Sequence, residues 1–578
     1  MSHSELSVPF YRTKFFNFMP PEMNPSLPIF PAGPTHRRPA PGAASTATPL
    51  TAAQKLLLPL GVVLFDWLFW HEGGGVNTLL FTVFVVAAQL MMLPRHAAAR
   101  RAGCFWLAVA GSLFGGCTAA VYGSAVAGLA CVASVLLLLG YGNQPHLRLL
   151  VYALLTAVGS VAEAWLRVLR GVRAPRRAGA GVRRAWFYGR LLLVPVVILG
   201  AFHGLFAVAN PRYAALSGRV LAGLGKWLAC LLPEVSLGHV LFLVLGFGVV
   251  AGVLVALPVH AFANFEAPLG EFVQRQRDGV ASLAVRRPDF RPKTTRTLDL
   301  RKEFVAAVAV FGLVNALLLV VNLIDINWLW FGFVPPAGFD LTQFVHEGTS
   351  VLIFSILLAM GIVLRFFRRN LNFYAPGLPW LRAGATAWVL QNAVLAASVG
   401  LRNYYYIRAC GLAYKRIGVC FFLLLVPFGL GTVLLKIWQR RSAYSLVRLN
   451  SLAAYAVLLL LAAGNWEVWM ARYNLQPRFQ RVDIGFLLDM PGRVLPTLLA
   501  RQAVWEHTPH LTLKTQWARP DGALDYGPQG VTAAEARRQL AAKADRWLGR
   551  YRAHADWQDK TWADWQAYRQ LTTSRAAE

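Results

Sequence analysis

The stretch Glu303–Leu323 reads EFVAAVAVFGLVNALLLVVNL. After Glu303 it carries no charge, and its apolar residues cover every face of a helix instead of one stripe. A helix rises 1.5 Å per residue, so about 20 such residues cross the hydrocarbon core of a bilayer. The reading is a membrane-spanning helix, and the pattern recurs. The apolar blocks are 54–70, 76–93, 102–121, 124–140, 148–165, 190–209, 238–260, 303–323, 345–365, 382–401, 416–436 and 447–464. Composition agrees. Of 578 residues, 56% are hydrophobic and 15% charged, where soluble domains carry about 25% charged residues. Collagen, coiled coil, disulfide scaffold and wholesale disorder are excluded. The expected fold class is all-α, a polytopic helical integral membrane protein.

The net charge of +30 is read through the same frame. Basic residues gather in the links between apolar blocks, where the positive-inside rule and anionic lipid place them. Nucleic-acid binding is therefore not expected. With the N-terminus in the cytoplasm, the 94–101 link lies inside with Arg95, Arg100 and Arg101, and the 71–75 link lies outside with no basic residue. The block 148–165 breaks this alternation. If it crossed, the arginines from Arg167 to Arg190 would lie outside. It also contains Glu163. It is therefore read as an interfacial or re-entrant helix, which leaves about 11 transmembrane helices. The 402–416 link then lies outside although it is basic, and the C-terminus is external.

Three regions follow. Residues 1–53 are proline-rich without an apolar run and read as a disordered tail. Residues 54–464 form the transmembrane helical domain. Residues 465–578 form a soluble, Trp-rich helical extension. Its end, 531–572, has a helical pattern with a Thr532/Glu535 capping box. The six cysteines show no CxxC spacing and read as small core residues.

Recognisable catalytic motifs are absent. His346-Glu347 lacks the second histidine of a zinc motif, so no metal and no cofactor are expected. Polar residues inside the spans are the next candidates, because a charge at the bilayer centre is costly. They are Asp66, Asn315, Gln391 and Asn392. Interhelical hydrogen bonding is the plainer reading of the amides, and a cavity shared by Asp66, Asn315 and Asn392 would favour transport. A ligand site is expected on the outer side, where Asp340, His346 and Glu347 meet Arg402, Tyr404, Tyr405, Tyr406 and Arg408. Arginines there would suit an anionic headgroup or polymer. The alternatives are an acid–base pair between the two stretches, or headgroup anchoring.

At these residues the chain resembles known bacterial membrane-protein families. The likeness rests on Val345–Ser350 with Leu352–Ile356, Arg369–Tyr374, Leu401–Ile407, Gly411–Val419, Ala471–Leu475 and Asp483–Leu487. They resemble the families called domain of unknown function 4173 and 4153. The resemblance implies a polytopic inner-membrane protein with a soluble C-terminal extension, and it brings no activity and no catalytic residue. Two readings of function stand. One is transport or envelope maintenance with an external anionic-ligand site. The other is a membrane sensor or scaffold that acts on protein partners through the tail. The lipid bilayer and its anionic headgroups are expected partners in both. An enzyme would need a nucleophile or metal set that the sequence does not show.

Overall fold

The computed structural model describes residues 51–94, 96–171, 237–255, 259–274, 297–331, 376–518, 524–553 and 556–577, with isolated pieces between 199 and 223 and between 353 and 374. The proline-rich stretch 1–50, residues 172–198 and the Asp340–Glu347 stretch lie outside the described residues.

The membrane domain is helical. Its helices are α1 (Ala52–Phe69), α2 (Val76–Met92), α3 (Gly103–Tyr122), α4 (Ala125–Asn143), α5 (Leu150–Gly171), α6 (Leu237–Leu254), the short α7 (His260–Glu266), α8 (Thr297–Asp325), α9 (Leu378–Cys410), α10 (Tyr414–Gln439) and α11 (Ala443–Ala462). Among the described residues, seven helices are long and apolar enough to cross a membrane. The apolar helices Val76–Met92 and Gly238–Leu254 are a little shorter.

The packing gives this domain two faces. On one, the α1–α2 link, the α3–α4 turn and the α9–α10 turn meet the C-terminal tail. The backbone N–H of Asn77 donates to Gln558 O, and a side chain on Gly123 would collide with Thr561. On the far face, Glu266 gathers the chain. It accepts from the backbone N–H groups of Arg148 and Leu149 at 3.0 and 3.1 Å and from the Tyr444 hydroxyl at 2.5 Å. Nearby, Glu271 pairs with Arg448 at 3.1 Å, and the Ser442 N–H donates to the Glu271 carbonyl.

Helix α5 packs against α4 and α6. Gly140, near the end of α4, approaches Ala153 so closely that a Cβ would strike its carbonyl. Ala157 packs among Leu139, Val253 and Leu254. A Cβ on Gly252, near the end of α6, would strike Val161. From Ala153 to Val161 the helix travels about 12 Å, and Ala153 also packs with Leu137, Leu138 and Tyr455. Ala153, Ala157, Ser160 and Ala164 are buried on one side, and Val151, Leu155, Val158 and Glu163 are exposed on the other.

Two expectations about elements are corrected. The span expected at 382–401 is part of a 33-residue helix that runs on to Cys410. Polarity ends an apolar block, but only a backbone break ends a helix. Gly411, at φ 76°, supplies that break. The tail, expected to be helical throughout, contains a three-stranded sheet. Strand β1 (Arg481–Asp483) pairs in parallel with β2 (His510–Ala518), which pairs antiparallel with β3 (Leu524–Gly530). Leu511, Leu513 and Trp517 alternate with polar residues, which is the strand period.

The tail also holds helices α12 (Trp466–Asn474), α13 (Ile484–Asp489), α14 (Leu495–Ala500), α15 (Ala533–Ala553) and α16 (Trp562–Ala577), with short helical turns at Gly492–Val494 and Gln502–Glu506. The 531–572 helix is thus two helices. The first starts where expected, with the Glu535 N–H donating to Thr532 Oγ1. The tail core joins Met470, Leu475, Ile484, Leu487, Trp505, Leu540 and Leu548, and it includes Ile417 of α10.

Candidate functional site

The most polar structure inside the membrane domain is the seam between α8 and α9. The two helices run parallel, since partners rise together along both. The Asn315 amide donates to Gly384 O at 2.9 Å, and Gln391 Nε2 donates to Asn315 Oδ1 at 2.8 Å. Higher up, Asn322 Nδ2 donates to Gln391 O at 3.0 Å, and Trp330 Nε1 donates to Ser398 Oγ at 3.0 Å. Arg402 then donates to Asp325 Oδ1 at 2.6 Å, and the Tyr405 hydroxyl donates to Leu329 O at 3.2 Å. Apart from Trp330, whose long side chain reaches across to Ser398, the contributing positions are 315, 322, 325 and 329 on one helix and 384, 391, 398, 402 and 405 on the other. Steps of three, four and seven keep each set on one helical face.

The upper end of the seam holds a buried ion pair. The side chains of Arg402 and Asp325 are 10% and 5% exposed. There α8 passes into a π-helical turn, Ile326–Trp330. Such turns widen a helix and are frequent at functional sites. Below and beside the pair, several oxygens have no hydrogen-bond partner: Asp325 Oδ2, Asn322 Oδ1, Gln391 Oε1 and Asn392 Oδ1. Asn392 turns its amide along its own helix to Trp388 O. In a bilayer an unsatisfied polar group costs several kcal/mol, so these acceptors are where water or another donor would sit.

The remaining candidates lie elsewhere. Asp66, on α1, pairs with His239 of α6 at 2.7 Å, and the Trp70 ring stacks on that histidine at 4.2 Å. It does not share a site with Asn315 and Asn392. Tyr404, Tyr405 and Tyr406 are successive helical residues and point three ways. Tyr404 is exposed, with the Arg408 guanidinium 6.0 Å from its ring centre. Tyr406 is buried, with Arg416 at 3.9 Å. Asp340, His346 and Glu347 lie outside the described residues. Sequence reasoning missed Asp325, Ser398 and Trp330. The seven-residue step from Gln391 was the signal for Ser398, whereas Asp325 and Trp330 fall off the step that joins Asn315 to Asn322.

The junction with the tail is also polar. Asn474 of α12 clamps the α9–α10 turn, accepting from Leu412 N at 2.5 Å and donating to Leu412 O at 2.9 Å. Beside it lies a cleft of about 150 Å³ lined by Arg416, Arg481 and Asp483. In the tail, Arg493 and Glu467 form a second buried ion pair at 3.1 Å. Among the described residues, no group of three or more His, Cys, Asp or Glu side chains could hold a metal ion.

No curated protein and no solved structure matches the chain. One family model does, that of the domain of unknown function DUF4153, over residues 102–499. The match starts in the link before α3 and ends in α14, so it takes in the seam, its ion pair and the Asn474 clamp. The 4173 half of the sequence resemblance is not part of that match. The chain belongs to the DUF4153 family.

Proposed function

We propose that this chain is a multi-pass scaffold of the bacterial inner membrane, and that its folded tail engages partners on the outer side. The observation that carries the reading is the continuity of the tail core with the membrane domain. Ile417 is one of the buried residues of that core, and Leu412 and Phe421 pack against it. Asn474 fixes the intervening turn from the tail side. A tail held this way moves with the spans, as a sensor or scaffold requires. The seam bonds are mostly closed helix to helix, which suits a solid bundle.

Orientation follows from charge. The far-face links carry Arg100, Arg101, Arg148, Arg440 and Arg441, whereas the α1–α2 and α3–α4 links on the tail face carry no Lys or Arg. The positive-inside rule puts the far face in the cytoplasm. The count of about 11 crossings rests on the seven long helices, the shorter α2 and α6, and the apolar blocks 190–209 and 345–365, with α5 lying along the inner interface. On the outer face, Arg408 over Tyr404 and the Arg416–Arg481 cleft suit an anionic headgroup or polymer.

A transport reading is favoured by one observation, the four unpartnered oxygens of the seam. The two readings separate in a strain that lacks the gene, complemented with variants and scored for envelope integrity. Under the scaffold reading, Asn315→Leu with Gln391→Leu complements and Asn474→Ala does not. The reverse pattern would reject the scaffold in favour of a polar path.

A further inference from the structure

Arg148 and Arg448 stand on the far face at the mouth of a slot of about 310 Å³ between α3, α4, α5 and α11. Cys104, Ala108, Leu137, Leu449 and Leu452 make its wall apolar. Leu107 and Leu452, both 40% exposed, border it, so it opens sideways toward the surroundings of the bundle. The arginines reach Glu271 at 3.9 and 3.1 Å. Each guanidinium has five N–H donors, so one shared carboxylate leaves most of them unused. Arg448 Nε is buried without a hydrogen bond. Glu266, the other acid here, is engaged by Arg148 N, Leu149 N and Tyr444.

Tyr141 adds an independent observation. It lines the slot and is 2% exposed. Its buried hydroxyl has only the weakly polar Cys104 thiol beside it as a hydrogen-bonding neighbour. Tyr141 lies in the last turn of α4, in the same slot that Arg148 and Arg448 border.

We propose that this slot seats one anionic phospholipid of the far-face leaflet. Its phosphate bridges the Arg148 and Arg448 guanidiniums, its ester carbonyl accepts from Tyr141, and an acyl chain fills the apolar wall. The slot offers a partner for each part of a lipid: cationic donors for the charge, a hydroxyl for the ester and an apolar wall for the hydrocarbon. A free phosphate would use the arginines and leave the tyrosine and the wall unmatched.

The test is native mass spectrometry on the full chain, purified and reconstituted in nanodiscs of phosphatidylglycerol and phosphatidylcholine in equal parts. The wild type is expected to retain one phosphatidylglycerol per chain, undisturbed by excess inorganic phosphate. Arg148→Gln with Arg448→Gln is expected to lower retention about tenfold or more, since charge-assisted bonds carry the headgroup. Leu452→Trp plugs the slot from its exposed side, keeps both arginines and is expected to lose the lipid equally. Should the arginine variant melt early, the Leu452→Trp result alone decides. A wild type that retains no lipid, or retention unchanged in Leu452→Trp, overturns the proposal. Displacement by phosphate alone would reduce the site to a simple anion site and overturn it as well.

Discussion

Arg402 is buried on α9 with Asp325 as its partner, so its effect on stability is set by that pair. Removing one member leaves a lone buried charge, which costs about 3–5 kcal/mol. Arg402→Met and Asp325→Leu should therefore each lower thermal stability in detergent by that order. The double variant should be less destabilised than the sum of the singles, because paired groups are not additive. Additive losses would show that the pair does not act as a unit. Arg402 was legible in the sequence as a charge that breaks the positive-inside trend. Its partner was not, because Asp325 stands at the end of an apolar block and resembles an ordinary headgroup-level acid. The amides were legible: Asn315 and Gln391 do bond between helices. At the junction, Gly411 has φ 76°, a region where a side chain is strained by about 1–2 kcal/mol, and a Cβ there would meet Asn474. Gly411→Val should loosen the tail from the spans, read as faster amide exchange across α12. In the tail, hydrogen bonds from Arg537 hold the Glu506 carboxyl below its ordinary value of 4.5. Its folded pKa is depressed, so its stabilisation is present above about pH 4.5 and is lost as pH falls through the folded value. Glu506→Gln should flatten that acid limb. The pair is exposed, so the change is small.

Helix α5 is the element on which the topology turns. The arginine-rich stretch after it raises the question of a crossing, and labelling decides it. Single cysteines at Pro145 and Ala178, in a background without native thiols, should both resist a membrane-impermeant thiol reagent added outside. Labelling of the Ala178 site alone would mean that the segment crosses. Apolar blocks marked the helices well because a spanning helix must satisfy its backbone internally whatever its side chains are. They marked the ends poorly. Helix α9 continues past its apolar part because Arg402, Asn403 and Tyr405 find partners on neighbouring elements. The tail sheet was missed because aromatic and charged residues drew attention to the helices that follow, although Leu511 and Leu513 already alternate.

The molecule as a whole has two faces of different make-up. The far face is tied together by Glu266 and Glu271 and is ringed with arginines. The tail face carries a folded domain whose core includes residues of α10, and that continuity is the central claim of the scaffold reading. The change in composition after residue 464 was visible in the sequence. The domain's attachment was not, because Asn474 and Leu412 are 62 residues apart in sequence and no local pattern joins them. The most direct measurement places the tail. A single cysteine at the exposed Ser574, again without native thiols, is exposed to a membrane-impermeant thiol reagent in cells whose inner membrane is intact. The account predicts full labelling before that membrane is broken. Labelling only after permeabilisation would put the tail in the cytoplasm and contradict it.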